Sequence, residues 1–255
     1  IGKVMQRVAG VIASIEPNDS PERFRSLGVD VSFGAGQFTD PGTFTVGNRK
    51  ITARNFVIAT GSRPGVPPIP GLNDVPFLTN ETVFKLNEPV PSMIVIGAGP
   101  IGCEMAQAFV RLGSKVMVVD LSPTLLPRED ADLAAVIRKQ MEADGIEFYL
   151  GVTPTKAEGT AGAISLWIKD NDGREIKLDA SHLLVAAGRK MNVEGLGLEA
   201  AGVQTEKGRI VSDATLRTTN KHIYVCGDVA GSFQFTHMAE HHAGDRGDQR
   251  QGRRA

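Results

Sequence analysis

The hexapeptide GAGPIG, Gly97 to Gly102, carries glycines at the Gly-x-Gly-x-x-Gly spacing. Each glycine answers a different steric demand of phosphate binding. Gly97 permits a tight strand-to-helix turn, Gly99 lets the backbone approach a pyrophosphate, and Gly102 lets the helix sit close to the strand. Ala98, Pro100 and Ile101 complete the turn. A helix beginning here turns free N–H groups and the positive end of its dipole toward phosphate oxygens. The hexapeptide alone is common, and its setting makes it informative. The apolar run MIVI precedes it, an apolar-faced helix is predicted over Ile101–Leu112, and KVMVVD then closes on Asp120, about 20 residues past the first glycine. A carboxylate there accepts hydrogen bonds from adenosine ribose hydroxyls and repels a 2′-phosphate, which favours NAD over NADP.

A second pattern is a repeat. FVIATGSRP (Phe56 to Pro64) and LLVAAGRK (Leu183 to Lys190) are apolar strands that stop at a glycine and run into an arginine. Each follows a hairpin turn and a polar strand, in GNRKITARNFVIATG and GREIKLDASHLLVAAG, so two units of one architecture are the simplest reading. GAGPIG lies about 90 residues before Gly188, and the same distance back from Gly61 falls before Ile1. The first unit's phosphate turn is therefore expected upstream, and the chain is expected to be a fragment.

The surrounding elements alternate between the two periods of regular structure. Residues 1–15 have a helical spacing of Val4, Met5, Val8, Val11, Ile12 and Ile15. VDVSFG, TFTV and KITA read as strands, the last two joined by a Gly47-Asn48 hairpin turn. The proline-rich stretch GSRPGVPPIPG reads as a connector between domains. Ala131–Ala143 is predicted helical, with Leu133, Val136, Ile137 and Met141 on its apolar side. AISLWI and EIKL form a second hairpin around Asn171-Asp172-Gly173, and IYVCGD is a short strand closing on Gly227-Asp228.

Bulk properties narrow the function classes. Hydrophobic residues make up 41% and charged residues 22%, with a net charge of -1, so no electrostatic footprint for nucleic acid exists. No apolar run reaches membrane-spanning length and no signal peptide opens the chain, so a cytoplasmic protein is expected. Cys103 and Cys226 are far apart in sequence and are expected to be buried thiols. His237 and His241 have a metal-like spacing without a third ligand pattern, so no metal site is expected, and His241 and His242 are expected to face solvent.

Four stretches then occur in order: ATGSRP with PIPG, GAGPIGCE, AAGRKMN with VEGLGLEAAGV, and IYVCGDVAG with QFTHMAEHHAG. Together they resemble the pyridine nucleotide-disulfide oxidoreductases over nearly the whole chain, with SPERFRSLGVDV and QFTHMAEH most similar to the mercuric reductase-like branch and dihydrolipoamide dehydrogenases next. The resemblance implies an α/β fold of two Rossmann-like FAD/NAD(P)-binding domains of glutathione-reductase type, each with a β-hairpin or meander insertion. It implies FAD-domain segments at residues 1–66 and 191–245 around an NAD domain at 67–190. After Ala243 the family continues as an apolar helix, whereas this chain turns polar, and the aperiodic tail, 246–255, is expected to be disordered. Gly34, Thr60, Gly61 and Ser62 are implied to lie along FAD, Asp228 to bond its ribityl chain or phosphates, and Gln234, Phe235, Thr236 and His237 to sit near the flavin edge. Gly97 to Gly102, Glu104, Asp120 and Gly188 are implied to line NAD, Glu104 pairing in this family with a lysine beside the flavin. The family's first glycine motif, its CxxxxC pair and that lysine precede the point where this sequence begins. Its dimerisation domain, through which the full-length protein is implied to be a homodimer, follows the point where it stops. Met191 stands where the family usually has proline.

The function so implied is transfer of hydride from NADH to FAD and on to a disulfide outside this chain, which reduces a small-molecule or disulfide substrate. No catalytic residue of that disulfide chemistry is expected here. Two other classes stay open at this point: an NADH:quinone or NADH:ferredoxin type of flavin reductase, and a non-catalytic nucleotide-binding module.

Overall fold

A computed structural model describes residues 1–231 and 234–250, with side chains up to Gly244. The chain divides into two compact units, one of Ile1–Asp19 and Pro64–Gly188, the other of Ser20–Arg63 and Arg189–Ala255. In chain order, α1 (Gly2–Ile15) precedes α2 (Pro21–Ser26). The Ser20 side chain caps α2 by accepting the Arg23 N–H, and Pro21 presets the first helical φ. Strands β1 (Gly36–Asp40), β2 (Thr43–Val46) and β3 (Arg49–Thr52) form an antiparallel meander, with Gly47 at φ +56° in the expected two-residue turn. Two short strands follow, β4 (Phe56–Ile58) and β5 (Ser62–Pro64).

The parallel sheet comes next. Its parts are β6 (Ser92–Ile96), α3 (Pro100–Arg111), β7 (Lys115–Asp120), α4 (Ala131–Ala143) and β8 (Glu147–Leu150). A second antiparallel meander, β9 (Thr153–Thr160), β10 (Ala163–Lys169) and β11 (Glu175–Ala180), leads back into the sheet through β12 (His182–Val185). The chain ends with β13 (Arg189–Met191), β14 (Thr205–Glu206), β15 (Arg209–Ile210), β16 (Ile223–Val225) and α5 (Thr236–Arg250).

The first unit is built on the order β12-β6-β7-β8, every pair parallel. Its strands MIVI, VMVV and LLV are continuous apolar runs because both faces are covered. Successive residues alternate between two cores. Met93, Val95, Val116, Val118 and Leu184 face a cluster that contains Cys103, Ala106 and Phe109 of α3, Ala134 and Met141 of α4, and Met5 of α1. Ile94, Ile96, Met117, Val119 and Leu183 face Ala157, Ile164, Leu166, Ile168 and Leu178 of the meander.

The second unit has its own core of Phe38, Ile58, Met191, Leu198, Ala201, Val203, Ile210, Ile223, Val225 and Val229. Phe38 packs edge-on against Phe44 and Phe56, at centroid distances of 4.9 and 5.2 Å. Strand β4 pairs in parallel with β16, and β5 and β13 form a separate two-stranded sheet.

Several expectations from sequence are corrected here. VDVSFG forms no strand: Phe33 is 73% exposed, no strand pairs with this stretch among the described residues, and the strand begins at Gly36 instead. In α4 the supposed core residues Leu133, Val136 and Ile137 are exposed, and the helix meets the sheet through Ala134 and Met141. In α1 only Met5 is buried, while Val4, Val11, Ile12 and Ile15 are exposed. The first 19 residues group with the parallel-sheet unit rather than with residues 20–63, because Met5 belongs to that unit's core. Residues 246–250 continue α5 as helix, and 251–255 of the tail lie outside the described residues. The strand β9 has no counterpart in the sequence reading. No described helix is long and apolar enough to cross a membrane.

The exposure of α4 gives a test. Met141→Ala, at a residue 1% exposed, is expected to lower unfolding free energy by about 2–5 kcal/mol. Val136→Ser, at a residue 68% exposed, is expected to stay within about 0.5 kcal/mol of the parent. Urea denaturation of the two variants checks the pair, and equal losses would contradict the observed packing.

Candidate nucleotide-binding site

Read as β8-β7-β6-β12, the parallel sheet runs outward from β6 to one side through β7 and β8, then returns to place β12 on the other side. The order reverses between β6 and β12. The carboxyl ends of strands at such a switch point form the ligand crevice of open α/β sheets. Gly97 follows β6 there and Gly188 follows β12.

The three motif glycines are explained by three different neighbours. Gly97 has φ +115°, and a Cβ on it would lie 2.3 Å from the Ala186 carbonyl oxygen. A Cβ on Gly102 would lie 1.9 Å from the Gly97 carbonyl oxygen, so only glycine lets α3 settle on the end of β6. Gly99 differs from both: its φ is -78° and a Cβ there would meet nothing within 4 Å. Neither strain nor crowding demands glycine at Gly99, which leaves the open space itself as the feature to explain.

No side chain caps α3, and Pro100 occupies its first position. The following N–H groups of the first turn have no partner inside the helix. Asp120, at the end of β7, turns back onto the motif. Its Oδ2 accepts the Ala98 N–H at 2.6 Å and its Oδ1 accepts the Ser122 N–H at 2.6 Å. The Gly97 N–H donates to the Val119 carbonyl at 2.8 Å, so β7 holds the turn at two points. Glu104 is exposed on α3, and Gly188 is exposed at φ +124° with open space around it. Gly97 to Gly102, Asp120 and Gly188 thus share one end of one sheet.

The second unit joins residues 60–63 to residues 189–194. The Thr60 hydroxyl donates to the Asn192 carbonyl at 2.7 Å, the Asn192 amide returns a bond to the Thr60 carbonyl at 2.9 Å, and the Asn192 N–H reaches the Gly61 carbonyl at 3.0 Å. Ser62 donates to Asp228, while Arg189 Nε donates to Ser62 Oγ at 2.6 Å and lies 3.4 Å from Asp228 Oδ2. Arg63 donates to Asn192 Oδ1 at 2.7 Å and forks onto both oxygens of Glu194, at 2.9 and 3.1 Å. These Arg63 bonds, with a further one from Lys190, hold the Glu194 carboxyl well below the usual carboxylate range. The hydroxyls of Thr60 and Ser62 and one oxygen of Asp228 are therefore engaged inside the protein. Arg63, Arg189, Asn192 and Glu194 received no role from the sequence, although an arginine after each strand-ending glycine was visible.

Gly34 lies just before β1 at φ +140°, where a Cβ would lie 3.0 Å from Val46 Cγ1. Gln234 Nε2 donates to the sulfur of Met191 at 3.3 Å, and Met191 is buried in the core of its unit. Phe235 and His237 stack at a centroid distance of 5.4 Å where α5 begins at Thr236. His242, expected in solvent, is only 6% exposed, and its Nδ1 accepts the Gly227 N–H at 3.3 Å. Among the described residues, no cluster of three His, Cys, Asp or Glu side chains is placed to hold a metal ion.

Cys103 is buried beneath the glycine turn, its Sγ bonded to the Ala98 carbonyl at 3.4 Å. Burial, reinforced by the negative charges of Asp120 and Glu104, pushes its pKa up to about 12. The thiol stays protonated and unreactive at neutral pH. Native protein treated with iodoacetamide at pH about 8.5, where a free thiol is half ionised, is expected to remain unmodified at Cys103 and to be alkylated there once unfolded in guanidinium. Peptide mass spectrometry checks this, and native labelling at Cys103 would contradict the buried assignment.

The pyridine nucleotide-disulphide oxidoreductase profile matches residues 10–243. A mercuric reductase of Staphylococcus aureus is 34% identical over 245 residues, covering 96% of this chain and 45% of that protein. A dihydrolipoyl dehydrogenase of Rhizobium etli is 35% identical over 235 residues, covering 84% of this chain and 48% of that protein. The chain spans about half the length of the curated relatives it matches. Among solved structures, the HOCl-induced flavoprotein disulfide reductase RclA from Escherichia coli superposes with a TM-score of 0.86 at 27% identity, over 97% of this chain and 57% of the other. With the motif geometry, the profile match and these relatives in agreement, the chain belongs to the pyridine nucleotide-disulphide oxidoreductase family.

Proposed function

We propose that the chain is the NAD-binding part, with a portion of the FAD-binding part, of a flavoprotein oxidoreductase that reduces a disulfide at the expense of NADH. The observation that carries this reading is the open side of Gly99 beside an uncapped helix start at the sheet's switch point. When bound, the two cofactors would supply the redox chemistry, the hydride equivalent of NADH passing by way of FAD to a disulfide that, with one proton from solvent, becomes two thiols. The chain's own residues bind and orient. Gly99 leaves room for the pyrophosphate, the first-turn N–H groups of α3 donate to it, and Gly188 keeps the opposite wall of the crevice bare. Asp120, already fixed by two backbone N–H groups, presents a stationary negative charge to the adenosine ribose, which accepts two hydroxyls and rejects a 2′-phosphate.

In the second unit, Gly34, Thr60, Gly61, Ser62, Asp228 and Gln234 to His237 line FAD in this reading. Gly61 has φ +67° with nothing within 4 Å of an added Cβ, the same open strand end as Gly188. Thr60 and Ser62 contribute mainly by shaping the backbone, since their hydroxyls are engaged elsewhere. Cys103 and Cys226 form no disulfide with each other, Cys103 is buried and Cys226, expected to be buried, is only partly so; neither is assigned to the substrate-reducing pair. The electron acceptor is a small-molecule or protein disulfide, or a metal ion handled by the same thiols, and the full-length protein is a cytoplasmic homodimer.

Calorimetric titration tests the nucleotide site. NADH is expected to bind about tenfold or more tightly than NADPH, and equal or reversed affinities would remove the assigned role of Asp120. Two glycine variants separate space from packing. Gly99→Val is expected to keep the parent Tm while weakening NADH by about tenfold or more. Gly102→Ala must displace backbone, so it is expected to lose both stability and binding. Unchanged NADH affinity in Gly99→Val would sink the assignment of this turn to the pyrophosphate.

A further inference from the structure

Among the described residues, three other than glycine have positive φ: Leu126, Lys207 and Leu216. Lys207 belongs to the two-residue turn between β14 and β15, where such a conformation is ordinary. Leu126 is different. It sits at φ 47° in the segment between β7 and α4, it is 8% exposed, and it packs in the same core as Ala98 and Cys103. L side chains rarely adopt this conformation, and where one persists the surroundings must enforce it. What the conformation achieves is visible in one bond: the Leu126 N–H donates to the Ala98 carbonyl at 3.0 Å.

That bond bears on the nucleotide turn through peptide geometry. The Ala98–Gly99 peptide is trans, so the Gly99 N–H lies antiparallel to the Ala98 carbonyl in one rigid plane. With the carbonyl held toward Leu126, the Gly99 N–H must point the opposite way. Asp120 holds the N–H of Ala98 on its other side. Ala98 is thus gripped at both polar groups: its N–H by the ribose-binding carboxylate, and its carbonyl by the strained leucine's N–H at 3.0 Å together with the weaker Cys103 thiol donor at 3.4 Å.

We infer that Leu126 is a positioning residue for dinucleotide binding, whose backbone N–H fixes the Ala98–Gly99 peptide so that the Gly99 N–H is aimed at the pyrophosphate. This rests on the NAD reading above. It makes the segment 121–130 part of the phosphate site without touching the ligand.

The test compares NADH, ADP-ribose and adenosine binding to the full chain and to two variants, by calorimetry for the first two ligands and by NMR titration for adenosine. Leu126→Pro has no N–H and cannot take φ 47°, whereas Leu126→Met keeps the donor and nearly the volume. Leu126→Pro is expected to weaken NADH and ADP-ribose by about tenfold or more and adenosine by less than about threefold, with Leu126→Met close to the parent for all three. Should Leu126→Pro not fold, replacing the N–H of residue 126 by an ester oxygen removes only the donor and is expected to give the same split. Equal weakening of all three ligands, or no weakening in the folded donor-less variant, overturns the inference. Absence of NADH binding to the unaltered chain overturns the NAD reading and this inference with it, whereas normal NADH binding by both parent and variant overturns the inference alone.

Discussion

Three stretches of backbone meet at the end of β6 with no side chain between them. The Gly97 carbonyl fills the place a Gly102 Cβ would take, and the Ala186 carbonyl fills the place a Gly97 Cβ would take. This close approach is the constraint on which the rest of the unit depends. It brings the start of α3 against the sheet and seats the end of β12 beside the end of β6, so the crevice at the switch point has a rigid floor. A helix start is useful to a phosphate only if it is held in place, and here the holding is done by carbonyls that cannot retreat without unpairing strands.

The two units solve a common problem by different means. Each has an antiparallel meander, then a strand that stops at a positive-φ glycine with empty space beside it. At Gly188 the two preceding residues, Ala186 and Ala187, are alanines, and the side of the strand end before the glycine is kept small. At Gly61 the neighbours are Thr60 and Ser62, and the backbone is held by their bonds to Asn192, Arg189 and Asp228. Arg189 sits between a hydroxyl and a carboxylate with its charge balanced by Asp228, and Arg63 finds the same balance in Glu194. Partial burial of two guanidinium groups is tolerable because each has a carboxylate within reach and further hydrogen bonds to its remaining donors.

What the sequence disclosed follows from which interactions are local. GAGPIG, the helix at Ala131–Ala143 and both hairpin turns are specified by residues a few positions apart, and the structure has them where the spacing puts them. The side of α4 that meets the sheet is not local information. Leu133, Val136 and Ile137 make the larger apolar stripe, yet the sheet accepts the smaller Ala134 and the flexible Met141, because the approach distance is set by β7 and its neighbours. VDVSFG has good strand chemistry and, among the described residues, no strand beside it, and propensity does not supply a hydrogen-bond partner. The Asn192 and Arg189 bonds span some 130 positions of sequence and leave no periodic trace, so only the recurrence of an arginine after each glycine hinted at them.

Leu126 marks the limit of sequence reading most sharply. Nothing about a leucine among LSPTLLP signals a left-handed backbone, since a glycine or asparagine is the residue that conformation prefers. The choice makes sense only once burial is considered. Glycine would relieve the strain and leave the core that Leu126 shares with Ala98 and Cys103 underfilled, whereas leucine fills its part of that core and accepts an unfavourable φ. Packing thus forces the conformation, and the conformation delivers an N–H to Ala98. The apolar core under the turn and the orientation of the turn are consequently one construction: the same leucine that packs in the core with Cys103 also donates the N–H that holds the Ala98–Gly99 peptide.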